Sequence, residues 1–512
     1  PSGRSGALHV PAYEAFRLLS QLYRLRSFGR RPLPSVQEVV EDLLLQRQQV
    51  HVGHIHDLAL LVEIDHRVHD LLGFRALRRE NRWLGGCFAV TVIRAVYFFT
   101  TLVLNTTILQ SAVFTPAVTT ALTAVNAVLL LALYFCFWRG LLAVQAKAGL
   151  PAQTGGALAL IVWYALVCVL AAVHYTGWIV PIAMLVGYGC ILRSLCRLSG
   201  ALDEAGYAIA PGPVRVTDRC LVLVIAAVLG IGCTLGYLFG SSYRMDWQPV
   251  DTSEQAQTAA IRQQLLDLGF PEAVLNDLTP EDIAACDGAL RVVTKTEDYP
   301  VNDGRTVSYK ESDGEGGVVS VLDTVFDVKE LRLTGVAVQL PGERETWMVF
   351  HHFLWTTDPG FCGTEAIQIR PACRSIPEGW AAAGDATGRV LYDRGGQTFA
   401  APYASLGART FTANTVLWGE QTNTDLFAAF SLPRHGEHAR GYVAYSTTEA
   451  RDGYILSSGV YYTHQQSWLQ YPVVTAMEKR LTTTWGDSGA FRTVQDVLQF
   501  DPVDEAAEAP PQ

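Results

Sequence analysis

The chain has 512 residues, 49% of them hydrophobic and only 17% charged, against roughly a quarter charged in an ordinary soluble domain. Residues 1–244 carry 20 Lys/Arg and 12 Asp/Glu, while residues 245–512 carry 19 and 37, so +8 and −18 sum to the net −10. That division excludes a single soluble domain, a nucleic-acid binder with a continuous basic surface, and a disordered or coiled-coil protein.

Residues 1–85 read as a helical head. Ala12 to Arg26 places Phe16, Leu19, Leu22 and Tyr23 on one face, Pro32 and Pro34 break the pattern, and Ser35-Val-Gln-Glu38 forms a capping box. Five of the 12 histidines cluster here, at His51, His54, His56, His66 and His69, with Asp57, Asp65 and Asp70 nearby. No H-E-x-x-H or cysteine pair accompanies them, and His54 and His56 fall on different helix faces. They are therefore expected to be solvated or helix-packing residues, with no metal site.

The segment 86–243 reads as a five-span membrane domain. No Asp, Glu, Lys or Arg occurs over 44 residues from Ala95 to Trp138, over 45 from Ala148 to Leu192, or over 24 from Cys220 to Tyr243. A spanning helix needs about 20 apolar residues, so these runs hold two, two and one, near 88–112, 117–138, 156–174, 177–195 and 220–241. Breakers fall at Thr115-Pro116 and Thr176-Gly177. Twelve arginines precede the first span, Arg139 and Lys147 follow the second, and Arg193, Arg197, Arg215 and Arg219 surround the end of the fourth. The other two loops carry none, so the positive-inside bias predicts a cytoplasmic N-terminus and an extracytoplasmic C-terminal half.

Arg94, Asn105, Asn126 and His174 lie at predicted membrane depth, and Pro181 interrupts the fourth span. Arg94 is placed near enough to the cytoplasmic end to snorkel, and the asparagines suit bonds between helices. The spans contain no relay of Asp or Glu and no paired broken helices, which argues against an autonomous ion-coupled pump or secondary transporter.

Residues 244–300 are expected to form a juxtamembrane helical linker, with a helix at Ile261–Leu268 and another opened by Thr279-Pro-Glu-Asp282. From Val318 the period becomes two. Candidate strands are Leu331–Leu340, with a bulge at Gly335, Glu345–Trp355, Glu365–Arg370, Asp425–Leu432, Gly441–Thr447 and Gly453–Thr463, separated by Gly/Pro turns. Many short strands predict an all-β sandwich or jelly-roll-like domain over 301–500. Residues 501–512 form an acidic, Pro-rich tail, expected to be disordered. Seven of the ten cysteines lie in or beside the spans, and Cys362 and Cys373 are the one pair in the sandwich, expected to form a disulfide.

The string Gly486-Asp487-Ser488-Gly489 resembles the nucleophile loop of chymotrypsin-like serine proteases, with His351 137 residues upstream in that family's chain order. The resemblance implies Ser488 as nucleophile and His351 as its base. This chain departs from the family: Ala490 replaces a glycine, Phe350-His351-His352-Phe353 lacks the Ala-Ala-His-Cys context, and only 24 residues follow Ser488. The competing expectation makes Ser488 the cap of a helix from Gly489 to Gln499, with Phe491, Val494, Val497 and Leu498 on one face. His435-Gly-Glu437-His438 and Asp313-Gly-Glu-Gly-Gly317 are read as turns, because neither fits a known ligand spacing. Asp358, Glu365 and Asp452 are scattered carboxylates that no spacing selects.

Trp355, Trp418, Tyr461, Tyr462, Trp468 and Tyr471 are the candidate ligand-binding aromatics, since rings on a sheet can stack on sugars or anchor a partner. Alternation puts Tyr461 and Tyr462 on opposite faces. No cofactor or metal is expected. Only five of the 39 basic residues are lysine, a usage that a GC-rich bacterial genome also produces. The expected function is ligand recognition or signalling across the bilayer, with another envelope protein or a glycan as partner and no nucleic acid. The alternatives are an accessory subunit of a transport or envelope-biogenesis complex and, more distantly, a surface hydrolase.

Overall fold

The structure, a computed structural model, describes residues 52–153, 155–173, 175–207, 216–250, 258–312, 318–325, 327–372, 380–415, 419–450, 456–467, 470–482 and 490–499. It divides into two compact units. The first holds the chain up to Val103 together with Val113–Gly232; the second holds Leu104–Ala112 together with everything from Cys233. The predicted helix at 12–26, the capping box at 35–38 and the acidic tail lie outside the described residues, as do His51 and His174.

The helices before the sheets are α1 (Val52–Leu77), α2 (Arg82–Leu104), α3 (Leu109–Val113), α4 (Pro116–Lys147), α5 (Gly155–Ala172), α6 (Ile179–Glu204) and α7 (Asp218–Phe239); they make up the first unit, except that Leu104, α3 up to Ala112 and the end of α7 from Cys233 belong to the second. The helices α2, α4, α5, α6 and α7 are long and apolar enough to cross a membrane. Their ends follow local chemistry. Asn81 Oδ1 accepts the backbone N–H of Trp83 and of Leu84, both at 3.0 Å, an N-cap that starts α2 six residues before the expected position. Thr115 accepts from Val118 N and Pro116 occupies the first turn of α4. At the other end of α2, Thr107 Oγ1 bonds the Leu104 carbonyl at 2.8 Å, so the helix closes there and does not run to 112.

Leu84, Cys87, Leu133, Val144, Leu198 and Leu202 form the core at one end of this unit, and Phe74 and Leu77 of α1 pack against it. Two polar ties hold the same end. Arg75 reaches Asp218 at 3.3 Å and the Val216 carbonyl, while Glu80 accepts from Lys147 at 2.8 Å and from Tyr207 at 2.6 Å.

The second unit is mostly antiparallel β. An eight-stranded sheet runs β1 (Gln248–Pro249), β10 (Gln397–Ala401), β9 (Thr387–Arg394), β13 (Glu437–Glu449), β6 (Thr346–Trp355), β5 (Glu330–Leu340), β2 (Arg291–Pro300), with β8 (Trp380–Ala382) also on β13. A five-stranded sheet runs β11 (Ser405–Thr415), β12 (Gly419–Phe430), β7 (Glu365–Arg370), β14 (Ser457–Gln465), β15 (Phe491–Gln499). A separate hairpin pairs β3 (Arg305–Ser312) with β4 (Val318–Val325). The two large sheets share one core, in which Leu333, Val349 and Phe353 of the first meet Ile367, Phe430 and Tyr462 of the second.

The other face of the larger sheet is also covered. Leu265, Phe270, Leu275 and Ile283, from the short helices α8 (Ala259–Asp267), α9 (Glu272–Leu275) and α10 (Pro280–Ala284) and their connections, pack on Val336, Val338, Phe350 and Tyr442. These helices are part of the β unit's core and not a linker, and residues 291–300 already belong to the sheet. Burial on both faces also explains the phase slip at Gly335. β5 keeps an unbroken register with β2 and β6, so there is no bulge there; the irregular register falls in β13, between Glu437 and Arg440.

Two further expectations are overturned. Residues 491–499 are a strand, paired with β14 from Ser457↔Gln499 to Gln465↔Phe491. The apolar residues have helical spacing, but nine cross-strand pairs and the β-branched Thr493, Val494 and Val497 prevail over it. Cys362 is a free thiol that donates to the Pro433 carbonyl at 3.3 Å, so the disulfide is not formed; Cys373 lies outside the described residues.

Candidate functional site

Two polar assemblies stand out, one in each unit. In the helical unit the centre is Arg94. It lies 12 residues from the start and 10 from the end of α2, about 15–18 Å from either by helical rise. Its side chain therefore sits at mid-length instead of snorkelling to an end, and it is only 7% exposed. Its Nε approaches Asn126 Oδ1 of α4 at 3.4 Å, and among the described residues this is its one hydrogen bond. The charged and phenolic groups that act on it are Arg67 and Asp70 from α1, Tyr134 from α4 and Tyr164 from α5. The Tyr134 and Tyr164 rings meet edge to face at 5.7 Å. Beside them Trp163 stacks on Tyr188 of α6 at 5.0 Å and donates its indole N–H to the Met184 carbonyl at 2.9 Å.

Helix α1 supplies the counter-charge. Arg67 pairs with Glu63 at 2.5 Å and lies over the Phe98 ring at 5.5 Å, which places this face of α1 alongside the middle of α2. Asp70 is half-buried on the same face. Burial raises its carboxyl pKa, partly offset by His66, Arg94 and Arg67. Arg94 and Asp70 attract one another without direct contact among the described residues. Sequence reasoning found Arg94 and Asn126 but assigned Asp70 and Arg67 to the head. Arg67, Asp70, Phe74 and Leu77 follow a spacing of three, four and three, one helix face, and that was the available signal.

In the β unit the segment after α2 is docked. Val473 N–H donates to the Asn105 carbonyl at 2.8 Å, and Asn105 Nδ2 donates to the Tyr471 hydroxyl at 3.3 Å. Gln110 Nε2 donates to the Val473 carbonyl at 2.6 Å. The end of α7 joins through Tyr237, whose hydroxyl donates to the Gln470 carbonyl at 2.8 Å, and through Gly240, whose carbonyl accepts from Ile108 at 2.8 Å. Gly236 has no room for a side chain: a Cβ there would lie 2.0 Å from Thr106 Oγ1. The 470–475 loop is itself braced by a reciprocal capping box at the start of α11 (Ala476–Thr482), with Thr475 N–H to Glu478 at 2.9 Å and Glu478 N–H to Thr475 Oγ1 at 3.1 Å. Asn105 thus bonds Tyr471 and Val473 of the 470–475 loop, where a contact between membrane helices was expected.

The other predicted residues disperse. Trp355 and Tyr462 are core residues, joined indole to hydroxyl at 3.0 Å, with Trp355 against His464 at 4.8 Å. His464 in turn pairs with the buried Glu365 at 2.8 Å, whose carboxyl pKa burial raises. Tyr461 faces the other way, between Arg370 at 5.6 Å and Arg480 at 4.8 Å. Tyr471 is in the junction. Trp418, Trp468 and Ser488 lie outside the described residues. His351 is buried at 2.7 Å from Ser458, which also accepts from Tyr445 at 2.8 Å. Ser458 can then donate to a neutral imidazole, and burial pushes the His351 pKa down to about 4. His352 points to the opposite face, where it meets Asp277 at 2.9 Å.

No protein-family model matches the chain, and no curated protein sequence is similar to it. Among solved structures, one described as a pore forming protein aligns at 8% identity with a TM-score of 0.15, over 40% of this chain and 94% of that one. A likeness of that size carries no inference about activity.

Proposed function

We propose that the chain is a multi-pass membrane protein whose β unit lies outside the cytoplasm, recognises an envelope protein or glycan, and passes the bound state to the membrane helices. The observation that carries this is the junction. Asn105 and Gln110, just beyond α2, and Tyr237, near the end of α7, all bond the braced 470–475 loop. A domain that only needed an anchor would require one helix and a flexible connection. Here the chain segments that follow two helices, far apart in sequence, are held by one loop. The arginine-rich flanks of the uncharged runs support the orientation. Five helices around a few polar groups also suit an accessory subunit that docks on an integral partner, which is the second outcome of the test.

The test uses the full chain, purified from its native membranes in mild detergent and challenged with envelope glycans and proteins. Binding is expected to raise amide-exchange protection in residues 104–112 as well as in the two large sheets. Tyr471→Phe, which leaves Asn105 without its acceptor, should reduce the protection at 104–112 while binding itself persists. Protection confined to the two large sheets would sink the coupling. A stoichiometric integral-membrane partner with no such ligand would favour the accessory role, and a fluorescent C-terminal reporter that folds only in the cytoplasm would overturn the orientation.

A further inference from the structure

The Arg94 centre has more donors than its neighbours use. A guanidinium carries five N–H donors, and among the described residues Arg94 uses one, on Asn126. Around it stand the Asn126 amide and the phenols of Tyr134 and Tyr164, which are donors as well. The Arg67 Nε is also buried without a partner. Among the described residues, the carboxylate near Arg94 that is not already in an ion pair is Asp70, because Glu63 holds Arg67 at 2.5 Å. A cationic side chain buried at mid-length of a membrane helix is costly and is retained for an occupant or a partner. The partner in this structure, Asp70, does not reach it.

We propose that this centre binds a small oxyanion, a carboxylate or phosphate, on Arg94, and that a proton enters with it onto Asp70. Charge balance in a low-dielectric interior is the reason for the proton. The guanidinium charges of Arg67 and Arg94 offset the carboxylates of Glu63 and Asp70. Adding an anion alone leaves one uncompensated negative charge, and protonating Asp70 removes it. Asp70 is the group placed for this: Glu63, His66 and Arg67 face it from α1, Arg94 from α2, and the phenols of Tyr134 and Tyr188 from α4 and α6. Burial already favours its neutral form. Because Asp70 comes from α1, the uncharged runs gave no sign of a titratable group at this depth. The inference requires the helices to cross a bilayer and is independent of what the β unit binds.

The full chain in nanodiscs of zwitterionic lipid tests it, with acetate and inorganic phosphate as probes and tryptophan fluorescence (Trp163 adjoins the centre) and calorimetry as readouts. Saturable acetate binding is expected to tighten about tenfold for each unit the pH falls, where Asp70 is ionised. Calorimetry in buffers of different ionisation enthalpy should show one proton taken up per anion. Arg94→Gln should weaken binding more than tenfold, and Asp70→Asn should bind with no pH dependence. A second variant, Arg94→Lys, keeps the charge and should retain part of the affinity, which separates lost binding from misfolding. An Arg94-dependent signal from anionic lipid without acetate would identify the oxyanion as a headgroup; a signal from the solutes alone would identify a soluble acid. No saturable binding of either kind overturns the proposal, as does an unchanged pH slope in Asp70→Asn.

Discussion

Asp277 in the β unit accepts from His352 at 2.9 Å and from Arg440 at 2.9 and 3.0 Å. Arg440 extends to Asp393 at 2.9 Å, and Arg389 donates to the carbonyls of Asp277 and Leu278 at 2.9 and 3.0 Å. Each charge in that cluster has a partner, and together they pin the turn between α9 and α10 to β6, β9 and β13. Arg94 in the helical unit is buried to a similar degree but holds one amide oxygen at 3.4 Å. Satisfied burial fixes a fold, whereas an unsatisfied charge keeps interaction capacity in reserve. The difference separates a satisfied network from an unsatisfied one, and it can be tested from both sides.

The largest effect is expected in the structural network. Asp277→Ala removes the shared acceptor of His352 and Arg440 and leaves Arg440 its Asp393 partner; breaking a buried ion pair costs about 3–5 kcal/mol. Denaturant unfolding of the full chain in detergent, followed by the tryptophans of the β unit, measures it. Adding Arg440→Met to that variant should recover part of the loss; if it deepens the loss by a similar amount, the two residues act independently. Burial pushes the Asp277 carboxyl pKa up, but His352 and then Arg440 together hold it below the ordinary range. Its contribution is present at neutral pH and is lost as the pH falls through that depressed value.

A second network shows its partners through pH. His351 titrates near 4 in the folded chain, against about 6.5 when exposed. The unfolded chain thus takes up the proton first, and stability is full above about pH 6.5 and lost as the pH falls towards 4. The drop attributable to this residue is about 3 kcal/mol. His351→Gln should flatten the profile across that interval, relative to the parent chain. A parent profile already flat between pH 6.5 and 4 would mean that the imidazole is not held neutral by Ser458.

These networks were legible in the sequence to different degrees. The five apolar helices could be read because long uncharged runs have no other explanation in a folded chain. Glu365–Arg370 was placed to the residue, with the Pro359-Gly360 breaker before it and Pro371 directly after it. β2, β9, β11 and β15 were missed for a common reason. Their periodicity is set by neighbours on two covered faces or by pairing distant in sequence, and a local window contains neither. The same limit hid the polar sites. His352 finds Asp277 across 75 residues, and Asn105 finds Tyr471 across 366. Arg94 could be seen because a lone charge beside an apolar run is conspicuous. Asp70 could not, since a carboxylate among other charges in a polar helix carries no mark of where that helix packs.

The smallest expected change is the one that most sharpens the contrast. If Arg94 were structural in the sense that Asp277 is, Arg94→Met would destabilise the helical unit by several kcal/mol. Its one hydrogen bond among the described residues, to Asn126 at 3.4 Å, lies beyond the usual range of an N–H···O bond. Asp70 retains His66 and Arg67 as stabilising neighbours, so its charge is not stranded by the substitution. Methionine fills a similar stem volume without a charge to desolvate, and replacing a poorly paired buried ion by an apolar side chain is commonly neutral or stabilising. Thermal unfolding of the variant in nanodiscs, followed by helix content, should stay within about 1 kcal/mol of the parent or exceed it. A loss near that of Asp277→Ala would place Arg94 among the networks that hold the fold, and the reserve of donors at the centre of the helices would then need a structural explanation.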